Sequence, residues 1–149
     1  MVMSRYRSIL ALALAFVTTL LVSCGSPTAK QPPTYTTAQI EQIQQYVSDI
    51  QKLGDRLPEL AKLIQDENWV FVKNFIRGPL GELRVKMSGI ERNLLPDVQP
   101  KARETAKELF KALVLIDESA QKRDYQSAIR NYAALQKDLN DFLALTPKA

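Results

Sequence analysis

Four stretches of this chain repeat apolar residues at steps of three and four, and this repeat limits the fold more than any other feature. The most regular stretch runs from Trp69 to Leu94 with steps of three, four, four, three, four, three and four. The others run from Ile40 to Ile64, Ala102 to Ala120 and Tyr125 to Phe142. Each repeat places its apolar side chains on one face of an α-helix. No segment alternates with period two, so we expect no sheet.

Capping and helix-breaking residues set the expected ends of the helices. Thr36 and Gln39 have the spacing of a capping box, and Asp124 can cap the fourth helix. Gly54 and Pro58 predict a kink or break in the first helix, with two shorter helices as the alternative. The expected helices are at about 38–65, 68–94, 97–122 and 124–145.

Each helix hides its apolar face only by packing against the others, so an all-α, up-down-up-down four-helix bundle is predicted for residues 38–149. We expect the aromatic side chains Trp69, Phe71 and Phe75 to be large anchors of its core. Opposite charges three residues apart predict two ion pairs on the outer face of the third helix, Glu104–Lys107 and Glu108–Lys111.

The N-terminal residues have the pattern of an export signal. Arg5 and Arg7 precede an apolar run at 9–22, which is too short for an ordinary membrane-spanning helix. The run ends in Leu-Val-Ser-Cys, which resembles the bacterial lipobox, and Cys24 is the only cysteine. We therefore predict a lipoprotein signal peptide at 1–23 and acylation of Cys24. Residues 24–37 contain three prolines and are expected to form a flexible tether.

Composition excludes several kinds of chemistry. The chain has no histidine, so it lacks the commonest general base and the commonest zinc ligand. Removal of 1–23 also removes Arg5 and Arg7, which lowers the net charge from +4 to +2 and weakens the case for a nucleic-acid partner. The acidic pairs at 66–67 and 117–118 lack calcium-loop spacing. We therefore expect no enzyme, no cofactor, no metal site and no small-molecule substrate.

The segment 68–84 holds the candidate site. Glycine inside a helix costs about 1 kcal/mol and proline about 3 kcal/mol, so neighbouring-helix packing or an external partner must favour the glycines and the proline there. Three basic residues, spaced four and seven apart, share one helix face. That face is either ordinary solvated surface or a docking face for an acidic protein. The candidate docking residues are Lys73, Arg77, Gly78, Pro79, Gly81 and Arg84.

The segment from Trp69 to Arg84, and within it Phe-Ile-Arg-Gly-Pro-Leu-Gly-Glu-Leu-Arg at 75–84, resembles the cyanobacterial form of the PsbQ family. The resemblance extends over residues 36–145, and cyanobacterial members also resemble lipoproteins. It implies a non-catalytic extrinsic subunit of photosystem II, anchored by lipid at the lumenal side of the thylakoid membrane. Such a subunit would dock on lumenal subunits and stabilise the oxygen-evolving complex and its retention of calcium and chloride.

The residues alone leave two other functions open. One is a general envelope lipoprotein that acts as a helical adaptor or chaperone. The other is a catalytic bundle that uses carboxylates or a bound cofactor, which would need a pocket that the apolar stripes do not indicate.

Overall fold

The computed structural model describes residues 33–148, in which six α-helices and one 3₁₀ turn make up the regular structure. The helices are α1 (Thr37–Gly54), α2 (Leu57–Gln65), α3 (Trp69–Arg77), α4 (Leu83–Asn93), α5 (Gln99–Lys122) and α6 (Tyr125–Ala144), and the 3₁₀ turn is Pro79–Glu82. There is no strand in this range, and the predicted all-α fold is confirmed. The predicted signal peptide, Cys24 and the tether as far as residue 32 lie outside the described residues.

The helices form four arms. The first arm is α1 and α2, separated by Asp55 and Arg56, and the second is α3, the 3₁₀ turn and α4. The third and fourth arms are the uninterrupted helices α5 and α6. α1 contacts α4, α2 contacts α3, the second arm contacts α5, α5 packs along α6, and α6 contacts α2. The arms therefore close into the predicted four-helix bundle, although the expected helix at 68–94 is in fact two helices and a 3₁₀ turn.

The apolar stripes form the core. The predicted stripe of α5 is entirely buried: Ala102, Ala106, Leu109, Leu113, Ile116 and Ala120. The stripe of α6 is buried at Ala128, Tyr132, Leu135, Leu139 and Phe142, whereas its first residue, Tyr125, is half-buried. Each large apolar side chain that leaves water stabilises the fold by about 1.5–3 kcal/mol. Among the largest fully buried side chains are Ile43, Leu60, Leu83, Ile116 and Phe142.

Phe71 departs from this pattern. Its side chain is 58% exposed, so the prediction that it anchors the core is wrong. Val72 is fully buried, and consecutive helical residues point about 100° apart, so Phe71 is turned towards solvent. Phe75 is buried as expected, and Trp69 packs half-buried against the core.

Local polar contacts fix the helix ends. The Gln39 backbone N–H donates to Thr36 Oγ1 over 3.2 Å, and the Thr36 N–H donates to Gln39 Oε1 over 2.9 Å, which confirms the capping box. Asp124 accepts a bond of 2.9 Å from the Ser127 N–H and caps α6, also as predicted.

One of the two predicted ion pairs on α5 forms and the other does not. Lys111 Nζ lies 3.4 Å from Glu108 Oε2, but Glu104 pairs with Lys101 at 3.0 Å instead of with Lys107. Both partners of Glu104 are three residues away, and exposed pairs of this kind contribute less than about 1 kcal/mol, so helical spacing does not select between them.

α1 and α4 approach each other closely. Gly89 is buried on α4, and a Cβ atom built there would lie 2.6 Å from two atoms of the Tyr46 ring. Lys86 Nζ, one turn earlier on α4, donates to Asp49 Oδ2 over 2.8 Å. That bond, helped by Lys52, holds the pKa of Asp49 below its ordinary value, and the same bond raises the pKa of Lys86.

Candidate docking site

The second arm breaks where the sequence has Gly78-Pro79. Proline has no backbone N–H and disfavours a helical conformation in the residue before it, so α3 ends at Arg77. The Gly78 N–H donates to the Asn74 carbonyl oxygen over 2.8 Å, and a Cβ at Gly78 would lie 3.0 Å from that oxygen. The local turn therefore accounts for Gly78 and Pro79 without a partner.

Gly81 has no such explanation in the fold. It is exposed within the 3₁₀ turn, and a Cβ built there would meet nothing within 4 Å. Within residues 33–148, no neighbouring helix requires a glycine at this position.

Three of the candidate docking residues surround one depression between the second arm and α5. Arg77, Gly81 and Arg84 line it, and its volume is about 270 Å³. Its apolar lining includes Ile76, Leu80 and Leu113. Lys73 is half-buried and does not line the depression, and Gly78 and Pro79 only adjoin it.

An ion pair joins the two sides of the depression. Arg77 Nη2 donates to Asp117 Oδ2 over 2.9 Å, and Gln121 Nε2 donates to the same oxygen over 3.0 Å. The Arg77 side chain is 64% exposed and that of Asp117 is 19% exposed, so the pair contributes at most about 1 kcal/mol. Asp117 Oδ1 is buried and has no hydrogen-bond partner in the part of the chain that the structure describes.

Arg84 lies over an aromatic ring. Its guanidinium carbon is 4.1 Å from the centre of the Phe110 ring, a cation–π contact worth about 0.5–1 kcal/mol at an exposed site. Arg84 forms no ion pair with any residue between 33 and 148. Its positive charge is therefore held at the surface of the bundle but is not neutralised there.

A second, wider depression continues from Arg84 and Phe110 between α4 and α5, with a volume of about 820 Å³. Its charged lining includes Glu91, whose pKa is raised by burial against the opposing effect of Arg103. Basic residues at 103, 107 and 111 line its α5 side. The α5 side of this site was not predicted from the sequence. The available signal was Val114, an apolar residue that lies next to the buried residues of α5 but outside their stripe.

Two kinds of feature are absent from residues 33–148. No group of three or more acidic side chains in this range is arranged to hold a metal ion. No helix in the same range is long and apolar enough to cross a membrane.

Comparison with known proteins agrees with the resemblance of the segment from Trp69 to Arg84. The profile of the PsbQ family, described as oxygen evolving enhancer protein 3, matches residues 3–147. CyanoQ of Synechocystis sp. is 44% identical over 148 residues, which cover 99% of each chain. The match thus includes all four arms of the bundle and both sides of the depression. The chain belongs to the PsbQ family, as the sequence predicted.

Proposed function

We propose that this protein is a non-catalytic extrinsic subunit of photosystem II that binds the lumenal side of the complex and supports oxygen evolution. The observation that carries the proposal is the match to an oxygen-evolving enhancer family over nearly the whole chain. The fold supports a role in binding. The apolar residues of its helices are buried in its own core, and exposed basic side chains such as Arg77 and Arg84 remain available to a partner.

The mechanism is occupancy of a surface. A protein that binds only the assembled complex stabilises that assembly by mass action. By covering part of the lumenal face, the bundle slows the exchange of calcium and chloride with the surrounding water and so helps the oxygen-evolving complex to retain them.

The surface around the 3₁₀ turn is the proposed docking site. The exposure of Arg77 and Arg84 supports it, since exposed basic groups accelerate and orient association with an acidic surface. The exposed Gly81, which the fold does not require, leaves room for a partner. The full set proposed for docking is Lys73, Arg77, Gly78, Pro79, Gly81 and Arg84. Within this set Arg77, Gly81 and Arg84 line the depression, whereas Lys73 does not and the turn alone accounts for Gly78 and Pro79.

We also propose that the protein is attached to the lumenal face of the thylakoid membrane through acyl chains on Cys24. The lipobox pattern at 21–24 supports this attachment. Each acyl methylene in the bilayer contributes about 0.8 kcal/mol, so two or three chains hold the protein firmly. Attachment confines the bundle to the membrane plane and raises its effective concentration near the complex.

Gene deletion tests the function. We expect the deletion strain to evolve oxygen almost as fast as wild type in complete medium and distinctly more slowly when calcium or chloride is depleted, with the complemented strain as control. Equal rates in both strains under depletion would contradict the proposal.

Purification of the tagged protein from detergent-solubilised membranes tests the partner. Enrichment of photosystem II subunits is expected. Recovery of envelope proteins without photosystem II would favour a general envelope lipoprotein that acts as an adaptor or chaperone.

A further inference from the structure

The two depressions beside α5 form one continuous surface. Both are lined by Arg84, Phe110 and Val114, so the narrow depression opens into the wide one. We call the combined surface the α4–α5 groove. Along α5 it extends from Glu118 to Arg103, which at 1.5 Å per residue is about 22 Å.

The groove has an apolar row along its length. Ala106, Phe110 and Val114 are four residues apart on α5 and therefore lie on one face of the helix. Val114 is 55% exposed although its neighbour Leu113 is buried in the core. A row of apolar groups at the base of an otherwise charged surface is the form of site that binds the apolar face of a protein segment.

The charge of the groove is positive. The combined lining has five basic side chains and three carboxylates, a net charge of +2. Arg77 and Asp117 pair with each other in the narrow half. The charged side chains of the wide half are Arg84, Arg103, Lys107, Lys111, Glu91 and Glu118. Lys111 is paired with Glu108, but neither Arg84 nor Lys107 forms an ion pair with any described residue. The wide half therefore fits a partner that carries carboxylates.

The narrow half differs from the wide half in its chemistry. Asp117 lies there, and its buried Oδ1 has no hydrogen-bond partner among residues 33–148. Asp117 is paired with Arg77, and the lining beside this pair is mainly apolar, so an apolar side chain of the partner would fill this half. The two halves thus impose a direction on the occupant.

We propose that the α4–α5 groove binds an acidic segment of a lumenal photosystem II subunit, with an apolar anchor in the narrow half beside Asp117 and carboxylates along Lys107 and Arg103 in the wide half. This inference rests on the proposed function and specifies the chemistry of the partner. It also extends the docking surface from the second arm onto α5.

Carbodiimide crosslinking gives a direct test, because the reagent joins a lysine amine to a carboxylate in contact with it. The full-length protein is added to photosystem II particles from the deletion strain, crosslinked and digested for mass spectrometry. We expect a peptide that links Lys107 to an aspartate or glutamate of a photosystem II subunit. The K107R variant has no reactive amine at this position, so the peptide should disappear while crosslinks from other lysines of the bound protein persist.

Two outcomes of the crosslinking experiment would overturn the inference. One is a set of crosslinks from lysines elsewhere on the bound protein with none from Lys107 or Lys111. The other is a Lys107 crosslink to a second copy of the same chain, which would assign the groove to self-association.

Binding measurements on matched variants give the second test. V114A is expected to weaken binding to the depleted particles about fivefold, since it removes an apolar contact in the groove. V70A is its control, because Val70 is 62% exposed on α3 and lies outside the groove. K107E is expected to weaken binding about tenfold at low ionic strength and less at high salt. R130E on α6 makes the same charge change away from the groove and is its control.

The outcomes separate the inference from the function on which it rests. If wild type binds and the groove variants bind as well as their controls, the groove is not the docking site, although the proposed function stands. If wild type itself does not bind photosystem II particles, the proposed function fails and the inference fails with it.

Discussion

Replacement of Gly89 by alanine is expected to destabilise the bundle, although alanine is the better helix former. Gly89 lies inside α4, where the exchange alone would stabilise the folded state by about 1 kcal/mol. The new methyl group, however, would lie 2.6–2.9 Å from three atoms of the Tyr46 ring on α1. Three ring atoms are met at once, so the ring must move as a whole and α1 must shift or lose this contact.

The size of the effect follows from these two opposing contributions. Overpacking of a tight contact costs about 1–3 kcal/mol, and we take about 2 kcal/mol for a clash against a ring that is only half-buried. With the gain of about 1 kcal/mol from helix propensity, G89A should lower the free energy of unfolding by about 1 kcal/mol. In a Y46A background the ring is absent, so G89A should raise the free energy of unfolding by about 1 kcal/mol.

Urea denaturation of the wild type, the two single variants and the double variant measures the coupling between Gly89 and Tyr46, which should be about 2 kcal/mol. G81A is the matched control, because a methyl group there meets nothing within 4 Å and should not destabilise the fold. An equal effect of G89A in both backgrounds would refute the proposed close packing of the two helices.

Three further predictions concern single side chains. Y132F removes the hydrogen bond of 3.1 Å from the buried Tyr132 hydroxyl to the Leu57 carbonyl oxygen. Urea denaturation should show a free energy of unfolding lower by about 1 kcal/mol. Unchanged stability would mean that this bond contributes nothing. Lys86 holds the pKa of Asp49 below its ordinary value of 3.8. In thermal melts, wild type should therefore be more stable than D49N above pH 3.8, and this difference should disappear as the pH falls through the lowered pKa. A pH-independent difference between the two would contradict this linkage. C24A should move the protein from the detergent phase to the aqueous phase in a Triton X-114 partition, and continued partition into detergent would argue against acylation at Cys24.

The features that depend on neighbouring residues could be predicted from the sequence. The stripe through Leu80, Leu83 and Met87 stays buried across the 3₁₀ turn, because a short 3₁₀ segment rotates the chain too little to move the stripe out of the core. The caps at Thr36 and Asp124 are also local, since donor and acceptor lie three residues apart. The fold class followed from these local signals and the short connections.

The features that depend on distant residues could not be predicted. Arg77 meets Asp117 across 40 positions, and no periodicity indicates which residue of α5 faces the 3₁₀ turn. Gly89 was missed for the same reason, because its role is set by Tyr46 on another helix. Phe71 was judged by its residue type, whereas its position one residue before the buried stripe at Val72 already placed it outside the core.

The division of the first two arms into short pieces affects how the protein opens locally. α2 and α3 have nine residues each, shorter than the 12–15 that an isolated helix needs in water, whereas α5 has 24. Amide hydrogens of α5 and α6 should therefore exchange last, at close to the global unfolding energy, and those of α2 and α3 earlier, through a separate cooperative unit. Arg77 is the last residue of α3. A partner bound beside it would slow amide exchange in α2 and α3, so binding of the partner would be coupled to the ordering of these two helices.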